Sequence, residues 1–226
     1  MTLDQALDAL RQHVAPTTVA AKQAYHKIDR PYLGVGNDAI NNLTKLWRQQ
    51  LSLAERITLA ADLWTTNIFE ARVAAAKLLT QARVKNDVAV WELIQTWVPE
   101  FDSWAIADHA CSAAQKRVVA DLERIETVEQ WIASDHMWTR RAAFVTTLPW
   151  TKQNFPKPQD LIIRDRVLGW AAALVADHDW FIQKAIAWWL RDLSRHDAQR
   201  TREFMAQYGN QMKPFARKEA LRHLSD

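Results

Sequence analysis

The sequence predicts an all-α fold: a curved α-solenoid of stacked antiparallel helix pairs with a concave, basic groove. Three observations lead there. Glycine and proline are scarce, 4 and 7 of 226 residues, which is too little turn punctuation for a strand-rich fold. Apolar residues recur with the 3.6-residue period of a helix nearly from end to end. An Ala-containing kernel also returns along the chain, as "EARVAAAKLL" at 70–79, "WTRRAAFVTTL" at 138–148 and "FIQKAIAWWL" at 181–190. The last two kernels lie 43 residues apart, a repeat length at which helix pairs of the HEAT type stack into a curved array with a long concave side. With 49% apolar residues, the chain has enough core-forming side chains for one domain over 1–226.

Taken in order, the periodic stretches place helices at roughly 2–13, 15–28, 37–50, 53–65, 68–82, 86–96, 102–121, 127–134, 137–148, 159–176, 179–195, 198–207 and 214–224. "SLAE" at 52–55 and "TVEQ" at 127–130 read as capping boxes, in which two side chains satisfy exposed N–H groups at a helix start. Asp102 and Ser103 are cap candidates for the helix that follows them. "GVGND" at 34–38 is a glycine-rich break, but no strand precedes it, so it does not read as a phosphate-binding loop.

Composition narrows the function classes. No apolar run approaches the length of a membrane span, and the first residues alternate charged and apolar types rather than forming a secretory leader. A cytoplasmic monomer is expected. The single cysteine, Cys111, gives neither an internal disulfide nor a cysteine-based zinc site, and reads as a small inert hydrophobe. The seven histidines lack metal-ligand spacing, so neither a metal nor a cofactor is expected. The net charge is only +3, yet residues 136–226 hold 15 Lys/Arg against 9 Asp/Glu, and the remainder holds 14 against 17. A basic half points to a polyanionic partner.

Three places depart from a plain helical pattern. In 179–195, Ile182, Ile186, Trp189 and Leu193 form a buried stripe, which sends Trp189 to the core. Trp188 then falls on the adjacent strip with Lys184 and Arg191, a surface suited to phosphates and a flat ring or sugar. In 137–148, Arg141 lies amid the apolar face of Met137, Phe144, Val145 and Leu148, where a guanidinium is costly unless paired or reaching a wet cavity. Arg140 points more to the side. In "SWAIADHAC", Trp104 and Asp108 are four apart on one face, followed by Cys111 and Gln115, on a helix whose other positions are mostly small.

These segments resemble the AlkD-like DNA alkylation repair glycosylases, a family built from HEAT-like repeats. "SWAIADHA" is similar to the family's Trp-x-x-x-Asp segment, and "SDHMWTRRAAF" to its Ser-Asp-Asn-x-Trp-x-x-Arg-Ala-Ala segment. "FIQKAIAWWLRDLSR" resembles Phe-Ile-x-Lys-Ala-Ile-Gly-Trp-x-Leu-Arg-Glu, "KPFARKEALRHL" the closing helix, and "AYHKIDRPYLGVG" the N-terminal Tyr and Leu-Gly-Val turn. The resemblance implies an enzyme that excises cationic N3- or N7-alkylated purines from double-stranded DNA without a base-flipping pocket. It implies Asp108 as the active-site carboxylate, Trp104 and Trp188 as groove indoles, Arg141 as a phosphate contact, and Tyr25 as an N-terminal aromatic meeting DNA. Arg140, Lys184 and Arg191 would add basic DNA contacts. The sequence departs from the family at "GVGNDAIN", where a Pro and an Arg are usual, at Ala105, and at Asp192 in place of Glu. Two other uses of such a fold stand beside this one: a DNA-binding array without catalysis, which needs Arg141 and Lys184 but not Asp108, and a protein-interaction scaffold.

Overall fold

Small side chains dictate how these helices pack. In "FEARVAAAKLL" every residue except Lys77 is buried, because alanine lets neighbouring helices approach from several sides. The computed structural model describes residues 1–224. Among them the chain forms thirteen α-helices and no strand, which makes the fold all-α as expected. The helices are α1 (Leu3–Arg11), α2 (Val19–His26), α3 (Asn37–Gln50), α4 (Leu53–Thr65), α5 (Phe69–Leu79), α6 (Val88–Trp97) and α7 (Trp104–Ala120). They continue with α8 (Ile125–Gln130), α9 (Met137–Thr146), α10 (Pro158–Ala173), α11 (Trp180–Ser194), α12 (Ala198–Tyr208) and α13 (Pro214–Ala220). No helix among the described residues is long and apolar enough to cross a membrane.

Several boundaries differ from the sequence expectation. The stretch 15–28 begins as a 3-10 turn at Pro16–Thr18 and ends at Lys27, which is left-handed at φ 57°. "SLAE" forms its capping box, with Ser52 accepting from the N–H of Glu55. "TVEQ" does not, because a 3-10 turn at Leu122–Arg124 has already started the helical backbone and leaves Thr127 inside α8. Ser103 caps α7 by accepting from the N–H of Ala105, whereas Asp102 instead pairs with the buried Arg30.

The described chain divides into two compact units, Met1–Asp121 and Leu122–Asp226. In the first, α5 packs against α3, α4 and α7. Trp64 and Trp97 stack at 4.3 Å, and the Arg72 guanidinium lies 4.6 Å over Trp64. The fully buried Arg117 donates to Asp87 and to the Ala82 carbonyl, fixing the loop before α6. In the second unit, α11 packs against α9, α12 and α13. Gln183, also buried, donates to the carbonyls of Val175 and Asp177 and accepts from the N–H of Lys213, tying both flanking loops to α11.

One buried charge organises the N-terminal segment. The Glu70 carboxylate, wholly inside, accepts from the N–H groups of Leu33 (2.8 Å), Gly34 (3.0 Å) and Val35 (3.2 Å) and from the Lys22 ammonium (3.0 Å). Gly34 sits at φ +84°, where a side-chain Cβ would approach the Ala15 carbonyl oxygen to 2.8 Å, so the turn requires glycine. Such a carboxylate is tolerable inside only because four donors replace its water. Glu70→Ala is expected to lower the unfolding free energy by about 3–5 kcal/mol, read by urea denaturation followed by circular dichroism. A loss below about 1 kcal/mol would show that the turn is held by something else.

Candidate functional site

In the N-terminal unit the candidate site starts on α7. The i, i+4 spacing puts Trp104 and Asp108 on one face, both half-buried, and Ser112 donates to the backbone carbonyl of Asp108 one turn later. The Trp104 ring meets the edge of Tyr25 at 5.5 Å and of His26 at 5.6 Å. Tyr25 and Trp104, singled out separately in the sequence, are therefore neighbours, and Tyr25 remains 69% exposed.

Behind Tyr25 lies an aromatic stack that gave no sequence signal. His26 stacks on Phe69 at 4.5 Å and on Tyr32 at 5.8 Å, and its Nδ1 lies 3.0 Å from the Tyr32 hydroxyl. Burial, then the Lys22 ammonium, holds the His26 imidazole below its usual pKa against an opposing pull from Glu70. Burial pushes the Tyr32 hydroxyl up to about 12. Both groups are thus neutral near pH 7, and the stack supports Trp104 without adding charge.

In the C-terminal unit, Arg141 is buried on α9 as the sequence placed it. Its Nη1 donates to the Phe181 carbonyl at 3.3 Å, and its guanidinium lies 5.9 Å over the Phe181 ring. Arg140 donates to the carbonyls of Ser134 and Asp135 and to the Asp177 carboxylate, so it braces the turn that leads into α9. On α11, Trp189 is buried and Trp188 is half-buried, the division that the helical period required. The Trp188 Nε1 donates to Asp192 at 3.1 Å, one turn on. Arg191 also donates to Asp192 and pairs with Glu219, so its charge is offset within the unit. The Lys184 ammonium lies 5.8 Å over the Trp180 ring.

Asp192 and Glu219 were missed as partners of these groups. The i, i+4 spacing of Trp188 and Asp192 was a signal for the first; Glu219 lies on α13 and left none. The aromatic group of Trp138, Trp180, Phe181 and Phe215 was also missed, with ring separations of 4.5 Å for Trp138–Phe181 and 5.5 Å for Trp180–Phe215. Among the described residues no cluster of three His, Cys, Asp or Glu could hold a metal ion.

Known structures share the fold. A protein described as a predicted DNA alkylation repair enzyme from Enterococcus faecalis has a similar structure, with a TM-score of 0.78 at 20% identity over 95% of this chain and 98% of that one. AlkD2 from Streptococcus mutans is similar at a TM-score of 0.68 and 15% identity, with both chains fully covered. No curated protein matches by sequence. At these identities the structures establish the shared fold. The family model described as DNA alkylation repair enzyme matches residues 6–224, nearly the whole sequence, and the chain therefore belongs to the DNA alkylation repair enzyme family.

Proposed function

We propose that this chain is a DNA N-glycosylase of base excision repair that removes cationic N3- and N7-alkylated purines from duplex DNA. The observation that carries the reading is the Trp104–Asp108 face of α7: a half-buried carboxylate one turn from an indole that Tyr25 and His26 brace. Family membership supports alkylation damage as the target.

The chemistry suits a carboxylate. A purine alkylated at N3 or N7 carries a positive charge. When the bond from C1′ to the base breaks, its electron pair moves to the base, which leaves neutral and needs no proton. The sugar takes up the charge as an oxocarbenium-like ion. Asp108 lowers the energy of that cation and orients the water that adds to C1′, and the proton of that water passes to the carboxylate or to solvent. An electrostatic partner of this kind is worth about 3–4 kcal/mol of barrier.

Trp104 packs against sugar and backbone beside the lesion, Trp188 offers DNA an indole from the C-terminal unit, and the π face of each favours positive charge by about 0.5–2 kcal/mol. Asp192 fixes the N–H edge of Trp188 for that role. Arg141 contacts a phosphate, and Tyr25 meets DNA from the N-terminal unit. Lys184 lies in the field of Glu219 without pairing with it, and so contributes more phosphate attraction than Arg140 or Arg191, which pair with Asp177, Asp192 and Glu219. Selection rests on the charge of the lesion rather than on a pocket that encloses a flipped base.

Asp108→Asn separates this enzyme from a DNA-binding protein without catalysis. With a duplex bearing one 7-methylguanine, the variant is expected to release base roughly 100- to 1,000-fold more slowly while binding the duplex as before. Unchanged release would remove Asp108 from the chemistry, and no release by the parent chain would favour the silent binder. Lys184→Gln is expected to lower the slope of log Kd against log salt by about 1, and Arg191→Gln to change it by less than half as much. Equal slopes for the two variants would contradict this assignment of charge.

A further inference from the structure

Helices α3, α5 and α7 line a cleft of about 400 Å³ within the N-terminal unit, beside the Trp104–Asp108 face and sharing none of its side chains. Asn41, Lys45 and Arg48 recur on one face of α3, Lys77 is the residue of α5 that is not buried, and His109 and Ser112 come from α7. No carboxylate is among its lining residues. Two of the three cations have uncharged partners: Lys77 donates to the Asn41 side-chain oxygen at 2.7 Å, and Arg48 to the Lys77 carbonyl at 2.6 Å. Among the described residues none of the three forms an ion pair.

That arrangement is electrostatically unbalanced. Burial, then the neighbouring Arg48, holds the Lys77 ammonium below its usual pKa, and burial followed by Arg56 does the same to Arg48. His109 is pushed down to about 4 by burial and then by Lys77, so it stays neutral near pH 7. A protein that gathers two half-buried cations and a third exposed one without acids has a place for a counter-anion, and the side-chain amides of Asn41 and Asn42 at the same wall have N–H groups to donate.

We propose that this cleft is a phosphate site that takes a phosphodiester of the DNA strand, with Lys45, Arg48 and Lys77 as its cations. The DNA source of the phosphate rests on the functional reading above, and the site would give the N-terminal unit its own grip on the backbone, one helical turn along α7 from Asp108. Such a contact carries no base information; it fixes the position of the duplex.

The test uses the whole chain and undamaged duplex DNA, so it reads binding whether or not a base is excised. Fluorescence anisotropy with a labelled duplex, between about 50 and 300 mM KCl, compares the parent chain with the R48Q/K77Q double variant. The expected result is a slope of log Kd against log salt lower by about 2, with affinity weakened at least ~10-fold at the low-salt end. A folded variant with unchanged slope and affinity would overturn the site. Should the double variant not fold, Lys45→Gln, at an exposed position that leaves the two hydrogen bonds intact, decides alone: a slope lower by about 1 supports the site, and an unchanged slope sinks it. Calorimetric titration with inorganic phosphate separates the sources. A DNA site is expected to hold free phosphate no tighter than the millimolar range, and micromolar phosphate binding with an unaltered DNA slope would assign the cleft to a small anion instead. Salt-dependent DNA binding without base release would leave this site standing and refute only the glycosylase reading.

Discussion

The buried Glu70 carboxylate is the constraint on which the N-terminal unit depends. It replaces lost water with the N–H groups of Leu33, Gly34 and Val35 and with the ammonium of Lys22. Lys22 comes from α2, the helix that carries Tyr25 and His26. One charge on α5 therefore fixes both the turn after α2 and α2 itself. With that segment in place, His26 stacks on Phe69, the residue just before Glu70, and Tyr25 meets Trp104 on α7. The alanines of α5 let the surrounding helices approach closely enough for these contacts.

The C-terminal unit solves a different problem, two adjacent tryptophans on one helix. Burying Trp189 in the stripe of Ile182, Ile186 and Leu193 leaves Trp188 at its border. A half-buried indole keeps an N–H that needs a partner, and Asp192 one turn later supplies it. The same carboxylate draws in Arg191, and Glu219 on α13 completes the group. Positive charge that is conspicuous in sequence is thus partly cancelled in space.

Much of this was legible in the sequence because it follows from local periodicity. The helix order, the Ser52 and Ser103 caps, the split between Trp188 and Trp189 and the shared face of Trp104 and Asp108 are all set by residues within a few positions of each other. The failures have two origins, one local and one distant. "TVEQ" carries the right residues for a cap, but the 3-10 turn upstream had already satisfied the geometry of a helix start. Asp102 was drawn off by Arg30, and Arg191 by Glu219, partners distant in sequence. Glu70 and its backbone donors likewise lie more than thirty residues apart, and the cations of the α3–α5–α7 cleft come from different helices. A single sequence holds no periodic trace of such pairings.

Charge is the thread between structure and chemistry. In the proposed glycosylase, a carboxylate beside an indole favours a sugar that becomes cationic as a neutral base departs, and it offers little to a neutral base, which leaves only with a negative charge or an added proton. The most direct measurement is therefore a comparison of base release from two otherwise identical duplexes, one with 7-methylguanine and one with uracil. Release of free 7-methylguanine, leaving an abasic site, with no detectable release of uracil is the result expected of charge-driven excision. Comparable release of uracil would contradict it, because a neutral lesion gives this site nothing to recognise.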